Sequence, residues 1–161
     1  MTYNSKKYIT GMAAGAATAA AYIIYAGTGN APLSGDIQLW ARLMLIFIGI
    51  GVVAQIIVQI AFHVVFAVGV AVKEHDKEGE YTKKLLNTFM IEDERDKLIG
   101  LKSTRIGYLC TGGGSVAALI FLAAGASYVV ALHIIAAAGA AGSFAEGCAN
   151  VFYNERGVRN G

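Results

Sequence analysis

Long runs of apolar residues dominate this chain, and its polar residues gather between them. Crossing a bilayer takes about 20 mostly apolar residues in a helix that satisfies its own backbone hydrogen bonds. Four runs meet this requirement: residues 8–25, 39–72, 106–124 and 128–152. Aromatic residues, which favour the headgroup level, stand near the ends of the runs. The pattern predicts a single all-α domain of four transmembrane helices.

The spacing of the runs refines this prediction. Only Gly125, Ala126 and Ser127 separate the last two runs, so we expect two antiparallel hairpins, one from each half of the chain. Residues 43–72 contain no formal charge. A helix of that length extends ~45 Å, whereas the hydrocarbon core is about 30 Å thick. We expect the second helix to tilt, or to continue into the cytoplasm against other protein.

Basic residues predict the orientation. Twelve of the 13 Lys and Arg residues precede the first run, lie between the second and third, or follow the fourth, and only Arg42 lies opposite. The positive-inside rule then places both termini and residues 73–105 in the cytoplasm of a multi-pass protein of the plasma (inner) membrane. The start of the chain also resembles a signal peptide, but bulky residues at 22–25 favour a retained helix.

Composition excludes some partners and supports others. The chain is 56% hydrophobic and 15% charged, whereas a soluble domain is about 25% charged. The formal net charge of +2 is too small to indicate nucleic-acid binding. We expect the lipid bilayer as one partner, and a second copy or another membrane protein as the other.

The cytoplasmic segment 73–105 carries equal numbers of acidic and basic residues. Within it, Tyr81, Leu85 and Phe89 recur at helical spacing, which predicts an amphipathic helix on the membrane surface or against the second helix. The acids at 92–96 then open the next helix, where they complement its dipole rather than form a divalent-metal site.

Small residues at helical spacing predict where the helices pack, because lipid supplies no hydrophobic drive for their association. The first run contains Gly11 and Gly15, and the fourth contains Gly139, Ser143 and Gly147. These residues suit contacts within one bundle, with a homo-oligomer interface as the alternative.

One acid lies deep in the fourth run, where a charge is costly unless it is paired or near water. Counting outward from the connection at Ala126 sets Arg105 opposite Gly147, next to Glu146. We therefore predict that Arg105 and Glu146 lie at the same depth and form an ion pair.

A polar stripe follows the second helix, because Gln55, Gln59 and His63 recur at every fourth residue. Hydrogen bonding between helices is one interpretation. A substrate, proton or ion path is the other, since polar groups at membrane depth are often functional.

The sequence contains little that indicates a bound cofactor or a catalytic site. His63 and His133 fall at different depths, so one haem iron cannot bind both. The same count separates Cys110 from Cys148 by too much for a disulfide. Neither a nucleophile with its base nor a metalloprotease, phosphate-loop or haem-attachment motif is present. We predict no cofactor, no metal and no enzymatic activity.

The stretch Glu92-Asp93-Glu94-Arg95-Asp96, followed by basic residues and an apolar run, resembles a family of small bacterial and archaeal membrane proteins of unknown function. Their hallmark is a D-E-R-D box before the third of four helices, with a basic tail after the fourth. The resemblance implies this architecture and brings no activity, cofactor or catalytic residue.

These patterns favour a non-enzymatic membrane component that acts through helix packing and its cytoplasmic segment, as a self-assembling or accessory subunit. The alternatives are a small transporter or channel that uses the polar stripe, and a membrane sensor that signals through residues 73–105.

Overall fold

The computed structural model describes residues 2–28, 36–73 and 94–157, and every regular element in these ranges is an α-helix. The helices are α1 (Tyr3–Gly27), α2 (Ile37–Lys73), α3 (Glu94–Ala123) and α4 (Tyr128–Arg156). Each is long and apolar enough, by length and composition, to cross a membrane. The prediction of an all-α chain with four such helices is confirmed. The predicted amphipathic helix at Tyr81–Phe89, and Asp93, the first residue of the D-E-R-D box, lie outside the described residues.

Local sequence explains where the helices begin. Thr2 caps α1 by accepting a hydrogen bond from the Ser5 amide at 3.2 Å, and Ser127 caps α4 by accepting from the Val130 amide at 3.4 Å. A carboxylate oxygen of Asp36 accepts from the Gln38 amide at 2.8 Å at the start of α2. Hydroxyl and carboxylate caps of this kind satisfy backbone donors that have no partner inside the helix.

A glycine ends α3 and turns the chain into α4. Gly125 has a φ of 90°, a left-handed conformation that a side chain disfavours. The amide of Gly125 donates to Leu122 O at 3.0 Å, and the amide of Ala126 donates to Phe121 O at 2.9 Å. These two bonds form a Schellman motif, which satisfies the last carbonyls of α3 within a very short connection.

The helices do not follow their chain order in space. α4 is central and packs along both α3 and α1, whereas α2 packs on the far side of α1 and touches α4 only slightly. The spatial order is therefore α2, α1, α4, α3. Tyr3 at the start of α1 lies 4.6 Å from Phe66 near the end of α2, between ring centroids. Tyr22 near the end of α1 lies 5.4 Å from Phe47 near the start of α2.

α2 is the least covered helix. It contains 37 residues, which corresponds to a length of ~55 Å. Met44 is its only buried side chain among residues 37–69, while Val65 is 71% exposed and Leu45 65% exposed. Such a surface needs an apolar solvent, as lipid provides, or another protein.

Small polar side chains are, with Ile99 and Ala118, the most buried of the described residues. Ser5 and Ser103 have no exposed surface, and Asn150 is 1% exposed. The side-chain amide of Asn150 donates to Glu146 O at 3.1 Å, one turn back along α4, and that of Asn154 donates to Asn150 O at 2.8 Å. Both amides thus bond backbone carbonyls of their own helix, while the Ser103 hydroxyl is buried without a hydrogen-bond partner among the described residues.

Candidate functional site

A polar groove runs between α3 and α4 and is the candidate functional site. Its volume is about 350 Å³. α3 lines it with Thr104, Gly107, Tyr108 and Thr111, and α4 lines it with Gly142, Ser143 and Glu146. We call it the Glu146 groove. Four hydroxyls and one carboxylate therefore face a groove between two apolar helices.

Glycines bring the two helices together at the floor of this groove. Gly107 and Gly142 are both buried. A Cβ on Gly142 would overlap the Thr111 hydroxyl and lie 2.8 Å from Gly107 O. One turn further along, a Cβ on Gly114 would overlap the Cβ of Ala138. The two backbones thus approach as closely as helices can.

Glu146 is the charged group of the groove. Its Oε1 accepts a hydrogen bond from the Thr104 hydroxyl at 2.7 Å, and its side chain is half-buried. Glu146 lies 18 residues beyond Tyr128, a rise of ~27 Å along α4. The carboxylate therefore sits near the far end of the apolar span, where the helix returns to polar residues.

The predicted ion pair between Arg105 and Glu146 is not formed within the part of the chain that the structure describes. Thr104 takes the place that we assigned to Arg105, and Arg105 is exposed. Successive residues of a helix point ~100° apart. Arg105 is therefore in the right turn of α3, but its side chain leaves the helix on another face.

The predicted packing residues separate into two groups. A Cβ on Gly147 would lie 2.5 Å from Met12 Cγ of α1, and one on Gly11 would lie 2.7 Å from the Gln55 amide nitrogen of α2. A Cβ on Gly15 or Gly139 would meet nothing within 4 Å. Ser143 is exposed and lines the groove. Gly11 and Gly147 thus lie at helix contacts, and the other three do not.

The polar stripe on α2 faces α1. A Cβ on Gly11 would lie 3.1 Å from the Gln59 amide nitrogen, and the Tyr3 hydroxyl shares a hydrogen bond with Nδ1 of His63 at 2.5 Å. The Gln59 side-chain oxygen is buried without a hydrogen-bond partner. Gln55, Gln59 and His63 therefore lie at a helix–helix contact, and only part of their hydrogen-bonding capacity is used there.

The two histidines bind different tyrosines. His133 donates from Nδ1 to Val129 O at 2.8 Å, and its Nε2 shares a hydrogen bond with the Tyr22 hydroxyl at 3.0 Å. Tyr3 and Tyr22, the partners of His63 and His133, stand at opposite ends of α1, ~28 Å apart along its axis. The histidines do not converge on one site.

The cysteines and the other side chains that could bind a metal ion do not form a cluster in the described residues either. Cys110 and Cys148 are free thiols, and the Cys148 thiol lies 3.8 Å from the sulfur of Met12. Residues 2–28, 36–73 and 94–157 contain no group of three or more His, Cys, Asp or Glu side chains placed to hold a metal ion.

A carboxylate joins the two termini of the described chain. Oε1 of Glu155 accepts from the Thr2 amide at 2.9 Å, and the Ser5 hydroxyl also hydrogen-bonds this side chain. The Ser5 hydroxyl, followed by the Thr2 amide, lowers the pKa of Glu155 below its ordinary value, because both favour the ionised form. Glu155 lies beyond residue 152, where the predicted fourth span ends.

The residues of the groove floor were not identified from the sequence. Ala138, Gly142 and Glu146 repeat every fourth residue on α4, as do Gly139, Ser143 and Gly147 one position later. Ala138 and Gly142 of the first set and all three residues of the second fit the small-residue pattern. Thr104 and Thr111, seven residues apart on α3, were the available signal for the facing surface, because that spacing places both on one side of a helix.

Comparison with protein-family models, with curated proteins and with solved structures finds no match to this chain. The fold and the groove define the class: an all-α chain with four helices capable of crossing a membrane and a polar groove between two of them. The resemblance to membrane proteins with a D-E-R-D box stays a prediction.

Proposed function

We propose that this chain is a non-enzymatic component of the plasma (inner) membrane that assembles with copies of itself or with another membrane protein. The observation that carries the proposal is the Glu146 groove. It leaves a carboxylate and four hydroxyls at the surface of two apolar helices. Polar groups at membrane depth are costly in lipid, so they favour a protein neighbour that pairs with them.

The uncovered surface of α2 supports the same proposal. Met44 is the only buried side chain among residues 37–69 of this helix, and the length of α2 exceeds the hydrocarbon thickness. A partner that packs on α2 outside the bilayer accounts for the excess length. The resulting role is that of an accessory or self-assembling subunit.

We also propose two antiparallel hairpins with both termini in the cytoplasm. The short Schellman connection between α3 and α4 and the reversed contacts of Tyr3 and Tyr22 on α2 support the hairpins. The distribution of Lys and Arg supports the orientation. Labelling single cysteines at residue 6 and residue 42 with a membrane-impermeant thiol reagent, in a chain whose native cysteines are replaced by Ala, tests it. In intact cells only the residue-42 cysteine should react.

The test of assembly is native mass spectrometry of the protein extracted in lipid nanodiscs. We expect a discrete oligomer, or a complex with a second membrane protein that gentle crosslinking recovers from the cell. A strict monomer without a crosslinked partner would contradict the proposal.

Transport along the polar stripe is not our proposal, because its side chains contact α1. A liposome flux assay on a chain with Leu at positions 55, 59 and 63 separates the two functions. Flux in the unaltered protein that disappears in this variant would favour a transporter.

A further inference from the structure

Glu146 has no cationic partner among the described residues of its own chain. Within the described residues the carboxylate accepts one hydrogen bond, from Thr104, and forms no ion pair with Arg105 or any other base. Glu146 lies near the end of the apolar span, where an ionised side chain is costly unless it is paired or reaches water. One neutral hydroxyl satisfies only part of the hydrogen-bonding capacity of a carboxylate.

Arg105 is the complementary group. It is exposed, and no contact to another described residue holds its guanidinium. Thr104, its immediate neighbour, contacts Glu146, so Arg105 and Glu146 belong to the same level of the α3–α4 pair. The side chain of Arg105 nevertheless points ~100° away from that of Thr104 around the axis of α3, so it leads away from the carboxylate of its own chain.

Membrane insertion makes equal depth a requirement for pairing between copies. Two copies with the same orientation are related by a two-fold axis along the membrane normal, and rotation about this axis leaves the depth of every residue unchanged. An arginine of one copy can therefore meet a carboxylate of the other only when both lie at one depth. Arg105 and Glu146 meet this condition, and such a contact is formed twice because a two-fold interface is reciprocal.

We propose that two copies of this chain pair through the Glu146 groove, with Arg105 of each copy bound to Glu146 of the other. The proposal rests on the assembly proposed above. A guanidinium presents a planar fork of donors that matches a carboxylate, and the groove's volume of about 350 Å³ leaves room for it. Tyr108 and Ser143, which line the groove, supply hydroxyl acceptors for the remaining N–H groups.

Charge reversal in separate chains tests this pairing. A chain with Arg105→Glu carries two acids at this level, and a chain with Glu146→Arg carries two bases. Each variant alone places like charges at both contacts of a dimer, so its self-association in liposomes, measured by single-molecule photobleaching, should weaken by about tenfold or more. A mixture of the two should form heterodimers, because both contacts then join opposite charges.

Rescue in the mixture distinguishes a pair between chains from a pair within one chain. Each variant chain has like charges at 105 and 146, so a pair within one chain cannot form in the mixture. The double variant R105E/E146R should also dimerise, because it exchanges both partners. Lys97→Glu, an equal charge change at an exposed position two turns earlier on α3, is the matched control and should leave dimerisation unchanged.

The outcomes separate this inference from the function on which it rests. An unaltered protein that self-associates, with no rescue in the mixture, would overturn the pairing and leave assembly standing. A strictly monomeric unaltered protein would remove both. Should a reversed charge prevent folding, as judged by circular dichroism, the neutral variants R105Q and E146Q replace the reversals. Each should then weaken dimerisation, and their combination should weaken it no further than either alone.

Discussion

The helices of the α3–α4 pair and those of the α1–α2 pair contact each other through different groups. α3 and α4 meet through glycines, so that Gly107 and Gly142 bring backbone against backbone. α1 and α2 meet through side chains, with the Gln55 and Gln59 amides over Gly11 and a hydrogen bond between Tyr3 and His63. A Cβ on Gly114 or Gly142 would meet the Cβ of Ala138 or a backbone oxygen, which cannot rotate aside, whereas one on Gly11 would meet only the ends of glutamine side chains. The same substitution should therefore cost more in one pair than in the other.

The largest effect is expected at Gly114. Alanine there would overlap the Cβ of Ala138, which has no freedom to move without shifting a helix. We expect a loss of about 1–3 kcal/mol in the free energy of unfolding, as for other overpacked sites. The measurement is unfolding of the purified protein in mild detergent.

Gly113→Ala is the matched control, because a Cβ there meets nothing within 4 Å. It should be neutral or slightly stabilising, since alanine favours a helix more than glycine does. Equal losses from both substitutions would contradict the close approach of α3 and α4.

The second-largest loss of stability is expected on replacing Tyr3. Phenylalanine at this position keeps the ring contacts with Phe62 and Phe66 and removes the hydroxyl that hydrogen-bonds His63. A loss of about 0.6 kcal/mol is expected, the average value for hydrogen bonds between membrane helices. Tyr25→Phe is the control, since its ring packs against Phe47. If both variants lose the same stability, the hydrogen bond contributes nothing.

Gly11→Ala should lower the free energy of unfolding by less than Tyr3→Phe does. The new Cβ would meet the ends of the Gln55 and Gln59 side chains, which can rotate away. Relative to Gly15→Ala, where nothing lies within 4 Å, we expect a difference on the order of 0.5 kcal/mol or less. A cost as large as that of Gly114→Ala would show that the two pairs are equally rigid.

The smallest effect is a pH dependence at the ends of α1 and α4. The pKa of Glu155 is lowered in the folded protein by the Ser5 hydroxyl and the Thr2 amide. The unfolded chain therefore binds the proton first as the pH falls, and the stabilisation present above the ordinary pKa of glutamate is lost toward the lowered one. Melting temperatures measured between about pH 6 and pH 3 should decrease as the pH is lowered.

In Glu155→Gln this part of the dependence should vanish. Because Glu155 is at the surface, the effect is small and should weaken further in high salt. An unchanged pH profile in the variant would show that the contact with Thr2 and Ser5 does not stabilise the fold.

The helices predicted from the sequence are present in the structure. The sequence did not predict which face of each helix packs against which neighbour. Hydrophobic runs were sufficient for four helices, since a long apolar run has no alternative to helix in a membrane. The two small-residue stripes of α4 are one residue apart, and α4 packs on both sides. Gly147 faces α1 while Gly142 faces α3. Nothing in the spacing assigns a stripe to a neighbour.

The candidate site shows the same difference between sequence and structure for individual side chains. Counting from the connection brought Arg105 and Glu146 to one level, because rise per residue is a property of the helix alone. Rotation about the axis depends on which neighbour each helix packs against. That rotation placed Thr104, not Arg105, against the carboxylate.

The sequence alone therefore determined the four apolar helices of the described residues and the shared level of Arg105 and Glu146. The distribution of Lys and Arg supplied the proposed orientation. Only the tertiary structure decided the order α2, α1, α4, α3, the burial of Ser5 and Asn150, and the face on which Glu146 opens. The physical reason is that hydropathy and rise are local, whereas a helix's rotation is set by the side chains of its neighbours.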